Sequence, residues 1–352
     1  MFDADGESAL VQALLAAHPD AEPLRFDASP PPRKIEIAGC LAARVEEPIP
    51  HWVVVSRGFT ELGDKLEEDP EVSGWGFELT CRVPARVDEP DVGWVVDWMQ
   101  RVADDLAARV SFLEPYHHMA IQPTTTDDEI AAVVFVEDGG LAPTRSQNGA
   151  FYFLQMVGLT RGEYEALHAW DPRALVDLVR ERDPLLLLDT DRATFLRDPG
   201  FARAVDEGRD RDGSSIGVRH GVAVLWTVDD DELQLHLDVD AAAVVRSAVE
   251  ARLRHGKTMA LFGDRRKTLR ADGSLALRSQ VNVALRPEDG PSEIVIDDDG
   301  GRTCVIRLGP DALAELTTVL QEAPGAYVLP SLPSVRFVVV TRERMGEPGY
   351  PR

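Results

Sequence analysis

Lysine is nearly missing from this chain: Lys34, Lys65, Lys257 and Lys267 are the only ones among 37 cationic residues, set against 61 carboxylates. A net charge of −24 speaks against a nucleic-acid binder, because neutralising phosphates needs clustered Lys and Arg. It favours solubility and, more loosely, a basic partner. Cysteine is scarce too. Cys40, Cys81 and Cys304 are odd in number and far apart, which excludes a disulfide frame or a paired zinc motif and reads as reduced, buried thiols. No apolar run reaches membrane length, and Met1-Phe2-Asp3-Ala4-Asp5 is acidic where a signal peptide is basic. The expected setting is therefore cytoplasmic, with no membrane contact. Arginine, alanine and glycine in excess suggest a GC-rich coding sequence and a bacterial source.

Catalytic signatures are thin. Gly213-Ser214-Ser215-Ile216-Gly217 spells G-x-S-x-G, but the polar Arg209-Asp210-Arg211-Asp212 precedes it where a nucleophile elbow needs an apolar strand. His117 and His118 are adjacent and so point apart, and no HExxH or CxxC exists. Asp229-Asp230-Asp231 and Asp297-Asp298-Asp299-Gly300-Gly301 lack the ligand order of an EF-hand and read as turns. No phosphate-cradling glycine loop is present, so no cofactor and no metal is expected. The enzymatic alternative is a hydrolase built on Ser215 or on His117 and His118.

What is there reads as mixed sheet and helix. Residues 7–18 suit a short helix, Pro23 to Pro32 a loop, and Ile35-Glu36-Ile37 the start of a strand. His51-Trp52 opens the buried run Val53-Val54-Val55. Phe77, Leu79, Cys81 and Val83 alternate with Glu78, Thr80 and Arg82, the period of a half-buried strand. Gly74 and Gly76 flank Trp75 where a bulge or a close backbone approach is expected. Val95, Trp98, Met99, Val102 and Leu106 form a helical stripe. Ile130–Val136 is a strand ending at Glu137-Asp138-Gly139-Gly140, and Phe151–Leu159 is another. Thr160-Arg161-Gly162-Glu163 matches a capping box, and Asp171-Pro172 and Asp198-Pro199 each start a helix around the strand Leu185–Leu188. A domain boundary is expected between 208 and 230. Beyond it come the alternating strand Leu233–Val239, a helix capped by Asp240 and running to Gly256, strands near 281–285, 294–296 and 304–308, a helix over 311–321 and a strand over 335–341.

The order His51-Trp52, Ser56-Arg57-Gly58, then Ser73-Gly74-Trp75-Gly76-Phe77-Glu78-Leu79 resembles the opening of the Suppressor of fused family. Phe153-Leu154-Gln155-Met156-Val157-Gly158, Trp170 and the Asp198-to-Ser214 stretch extend the likeness, specific over roughly 51–217 and thinner to 341. The long charged insertion of the animal pattern is absent. The resemblance implies an α/β (α+β) chain of two mixed sheet-and-helix domains, 1–220 and a smaller 221–352. It implies a non-catalytic protein-binding protein that clamps an extended peptide between two domains by strand addition. The partner would be a protein, with toxin neutralisation as an immunity protein one setting and other regulation another. Partner contact would fall on Phe135, Glu137 and Asp138, with Leu253 and His255 opposite. The plainer alternative makes Glu137-Asp138 a solvated turn and Leu253 core. His51, Trp52, Gly58, Gly74, Trp75, Gly76 and Phe77 read as structural.

Overall fold

Consecutive β-branched residues suit a strand covered on both faces, and the run after Trp52 forms one, buried along its whole length. The structure is a computed structural model that describes residues 5–28, 35–66, 69–86, 92–109, 112–122, 126, 129–229, 232–263, 267–269, 275–277, 282–296 and 303–346. Asp230, Asp231 and the Asp297–Gly301 cluster lie outside them, as do residues 29–34. The chain divides into two compact units, Met1–Glu165 with Pro172–Ala202, and Ala166–Asp171 with Arg203–Arg352.

In unit 1, α1 (Gly6–Ala17) precedes β1 (Leu24–Asp27), β2 (Gly39–Val45), β3 (His51–Arg57) and β4 (Val72–Pro84). Then come α2 (Gly93–Arg109), β5 (His118–Ala120), β6 (Ile130–Glu137), β7 (Thr144–Ser146) and β8 (Gly149–Thr160). The strands form one mixed sheet in the order β1-β2-β3-β4-β8-β6-β5, with β7 paired to the start of β8. The α2 stripe packs on one face with Trp52, Phe77, Leu79, Phe135 and Met156. Leu10 and Leu14 of α1 pack on the other with Val53, Val55, Phe151 and Phe153. Coverage on both sides explains why β4 is not half-buried: Glu78, Thr80 and Arg82 are enclosed as fully as their apolar neighbours.

Two expected strands are absent. Ile35–Ile37 is irregular, since the Gln100 side chain takes the Ile35 carbonyl and the Ile37 amide, at 3.0 and 3.1 Å. Leu185–Leu188 is also irregular. The Asp183 carboxylate accepts the amides of Leu185 and Leu187, at 3.2 and 2.5 Å, so these groups do not join a ladder. One short strand, β1, stands inside the stretch expected to be a loop. The capping box forms as written, with Thr160 N donating to Glu163 Oε2 at 3.0 Å and Glu163 N to Thr160 Oγ1 at 3.4 Å. It opens α3 (Arg161–Ala169), followed by α4 (Pro172–Arg182) and α5 (Pro199–Asp212), the last capped by Asp198 on the amides of Gly200 and Phe201.

In unit 2, β9 (Val218–Val222), β10 (Val224–Asp229) and β11 (Glu232–Asp238) lead into α6 (Val239–Ala251). The cap of α6 is Asp238, whose carboxylate accepts the Ala241 amide at 2.7 Å; β11 runs straight into the helix, leaving Asp240 inside the first turn. After a 3₁₀ turn at Leu253–His255 come β12 (Met259–Gly263), a separate hairpin of β13 (Lys267–Leu269) and β14 (Leu275–Leu277), β15 (Asn282–Pro287), β16 (Glu293–Ile296) and β17 (Thr303–Leu308). Helix α7 (Pro310–Val319), β18 (Gly325–Leu329), β19 (Leu332–Val340) and α8 (Arg342–Gly346) complete the unit. Two sheets, β10-β11-β19-β18 and β16-β17-β15-β12-β9, share one core with α6 and α7.

Candidate functional site

The most particular stretch of the sequence folds around one buried carboxylate. Glu78 accepts from the hydroxyls of Ser56 and Thr60 and from the amides of Gly58 and Thr60, the last at 2.8 Å. Burial pushes its carboxyl above the usual range, against the pull of these four donors. The turn Ser56-Arg57-Gly58-Phe59-Thr60 is thereby fixed to β4. Phe59 stacks on Phe77 with ring centroids 4.9 Å apart.

This lock shapes the start of β4. Val72 pairs with Ala150 and Phe77 with Tyr152, so Ser73, Gly74, Trp75 and Gly76 stand against Phe151 alone. The expected bulge is there, and it is wide. Its polar groups are taken up by the preceding loop: Trp75 N donates to Phe59 O at 2.8 Å, and Ser73 Oγ accepts the Glu61 amide at 3.0 Å. Lys65 Nζ donates to the carbonyls of Val72 and Asn148, at 2.5 and 2.9 Å. Gly74 has φ +53°, and a Cβ there would stand 2.5 Å from the Phe59 carbonyl oxygen, so no other residue fits without moving backbone. The bulge lifts β4 off β8 and opens a groove of about 680 Å³, walled by Val72, Trp75 and Gly76 on one side, Pro143, Thr144 and Arg145 on the other, with Ala150 to Tyr152 beneath.

Acidic side chains stand at the Tyr152 end. Glu137 pairs with Leu154 across β6 and β8, which places it diagonal to Tyr152 on the same face. The Tyr152 hydroxyl donates to Leu113 O at 3.4 Å, next to Glu114. Partial burial, then the charges of Glu114 and Glu137, push the tyrosine above its ordinary range. The cation on the far wall, Arg145, pairs with Glu71 at 3.1 Å.

The residues expected to meet a partner stand in different surroundings within their own units. Glu137 is exposed, but Asp138 is buried, held by Arg82 at 2.6 Å and accepting from Thr80 Oγ1 and the amides of Gly140 and Leu141. Burial pushes its carboxyl up, but the Arg82 charge and these bonds outweigh that and hold it below the usual range. Phe135 is core, and β6 is no edge. One side pairs with β8; the other is closed by β5, with Tyr116 N donating to Phe135 O, Phe135 N to His117 O and Ile121 N to Ala131 O. In unit 2, Leu253 is core and the His255 ring lies over Gly213.

Ser215 is exposed and follows the helix α5 and precedes β9, the reverse of a strand–turn–helix elbow. Ser214 Oγ donates to His168 O at 2.7 Å. His117 lies beside Glu114, and His118 contacts Tyr164. Among the described residues no cluster of His, Cys, Asp or Glu has metal-binding geometry, and no helix is long and apolar enough to cross a membrane.

Burial lowers the His51 pKa; with the ring neutral, Nδ1–H donates to Ile49 O at 2.8 Å. The unfolded chain then binds the extra proton first, so this group's stabilisation is whole above about pH 6.5 and is lost as pH falls from there towards the lowered folded value. The melting temperature will fall between pH 7.5 and 5.5, and His51→Gln will flatten that slope; an unchanged slope counts against the buried neutral ring.

Comparison with known proteins agrees with this architecture. Residues 31–193 match the family model of the Suppressor of fused protein. The Suppressor of fused homologs of Mus musculus and Homo sapiens are each 28% identical over 194 residues, covering 51% of this chain and 40% of theirs. The match thus spans less than half the length of those relatives. The crystal structure of Drosophila Suppressor of Fused superposes with a TM-score of 0.67 at 14% identity, over 96% of this chain and 97% of that one, a likeness of fold. Over residues 31–193, this chain is similar to the Suppressor of fused family.

Proposed function

We propose that this chain is a non-catalytic protein-binding protein that takes an extended segment of a partner onto an open sheet edge, with toxin neutralisation or other regulation as its setting. One observation supports this most. Natural proteins blunt edge strands with charge or proline. Among the described edge strands of four or more residues, β1 carries Arg25 and Asp27, β9 Arg219, β10 Asp229 and β16 Glu293. The β18 strand, Gly325-Ala326-Tyr327-Val328-Leu329, carries no charge and no proline, and its first two residues are exposed. Its only sheet partner among the described residues is β19. Backbone bonds along such an edge give a guest strand its affinity and alternate side chains give it specificity.

Adjacent amides in a strand point to opposite sides, so of Gly325→Pro and Ala326→Pro one removes a donor facing β19 and the other a donor facing outward. The outward variant will keep its melting temperature yet lose the dominant protein captured by the wild type from its native cell, at least tenfold in recovery. Capture that survives both substitutions refutes the strand-addition reading.

A further inference from the structure

We propose that the Trp75 groove is a docking site for a basic segment of the partner protein, seating an aromatic or long aliphatic side chain while neighbouring Lys or Arg side chains meet Glu114 and Glu137. This rests on the protein-binding reading and names the chemistry of the guest. Three observations converge on it.

The groove has room for one or two large side chains, at about 680 Å³, and is walled chiefly by apolar surface from Val72, Trp75, Ala150 and Tyr152. Two exposed apolar residues adjoin, in sequence, residues bonded to the groove. The two most exposed large apolar residues described are Leu66, at 85%, and Phe112, at 76%. Leu66 follows Lys65, whose ammonium is bonded to Val72 O on one wall; Phe112 precedes Leu113, whose carbonyl takes the Tyr152 hydroxyl at the other end. A concave site walled chiefly by apolar side chains, with a few polar groups at its end, is the default place for a guest side chain.

Charge then selects the occupant. The Arg145 cation of the groove is balanced by Glu71, while Glu137, and Glu114 with only the His117 ring beside it at 3.8 Å, add negative charge at the Tyr152 end, and the whole chain carries −24. An acidic segment or an anionic lipid surface would be repelled there. A segment pairing an apolar anchor with cations meets both requirements, and the chain's overall charge would steer it in.

The test uses the full chain and a displayed library of random 12-residue peptides. Enriched peptides are expected to place Trp, Phe, Leu or Met within a few positions of two or more Lys or Arg residues. Fluorescein-labelled versions should lose tenfold or more in affinity against Thr144→Trp, which fills the groove, and against the double variant Glu114→Lys/Glu137→Lys. If Thr144→Trp fails to fold, the double variant, which changes exposed side chains only, decides alone. Enrichment of acidic or purely polar peptides, no enrichment above background, or equal binding to wild type and groove variants would each overturn the proposal. Peptides that survive the groove variants but are lost with the outward β18 proline leave strand addition standing and remove the groove; loss from neither set removes both.

Discussion

Replacing Arg82 with methionine will cost about 3–5 kcal/mol of folding stability, the range for stripping one partner from a buried ion pair. The Asp138 carboxylate has no exposed surface and is held by the Arg82 fork at 2.6 and 3.2 Å, so its charge would remain inside with only Thr80 and two amides to face it. Its depressed pKa fixes the pH behaviour. In the wild type the unfolded carboxyl binds a proton before the folded one, so the pair's contribution is whole above about pH 3.9 and is lost as pH falls through the folded value. Without Arg82 that protection goes, and Arg82→Met/Asp138→Asn should recover much of the loss by removing the stranded charge. Urea denaturation at pH 7 checks it. A loss under about 1 kcal/mol would mean that Asp138 is not committed to the fold, and a partner contact through it would regain its basis. Charge reversal at Asp138 would bury a second cation against Arg82, so lost binding in such a variant would report unfolding.

Glu78→Met will cost about 3 kcal/mol, because it leaves the amides of Gly58 and Thr60 and two hydroxyls without their acceptor, and buried amides without partners cost about 1–3 kcal/mol each. The hydroxyls can turn to other acceptors, which keeps the total below a simple sum. The damage should be local first. Freed from Glu78, the Ser56–Thr60 turn no longer fixes the loop that takes up Ser73 and Trp75, so Trp75 fluorescence should shift to the red and peptides selected on the groove should weaken. Glu78→Gln, which keeps one acceptor oxygen, should fall between the two. A variant as stable as wild type, with unchanged emission, would mean that the turn holds its shape without the carboxylate.

The readable parts of this fold are those where local chemistry and tertiary position agree. Trp52–Val55, the α2 stripe, the Gly74–Gly76 bulge, the Thr160–Glu163 box and the Asp198 cap all stand where the residues imply. Failures came where a side chain took over a backbone bond. Leu185–Leu188 has the composition of a strand, but Asp183 captures its amides and Gln155 Nε2 reaches the carbonyls of Leu185 and Leu186. Glu78 looks like an outward position in a period-2 pattern; only the turn 18 to 22 residues upstream, brought over it by β3–β4 pairing, makes it an anchor. The closed edge of β6 was hidden because β5 is three residues long and carries no strand signal. Asp138 reads as a turn residue until Arg82, 56 positions away, is seen to reach it. The groove is a product of the bulge, one of the two readings the flanking glycines allow, and of the β7–β8 hairpin beside it, which no residue pattern signals.

Amide hydrogen exchange on the full chain, free and saturated with its captured protein partner, bears on the strand-addition reading most sharply. Gly325 to Val328 should gain protection of tenfold or more on binding while the interior strand β6 stays unchanged. Protection confined to other segments, with β18 exchanging at its free rate in the complex, would contradict it.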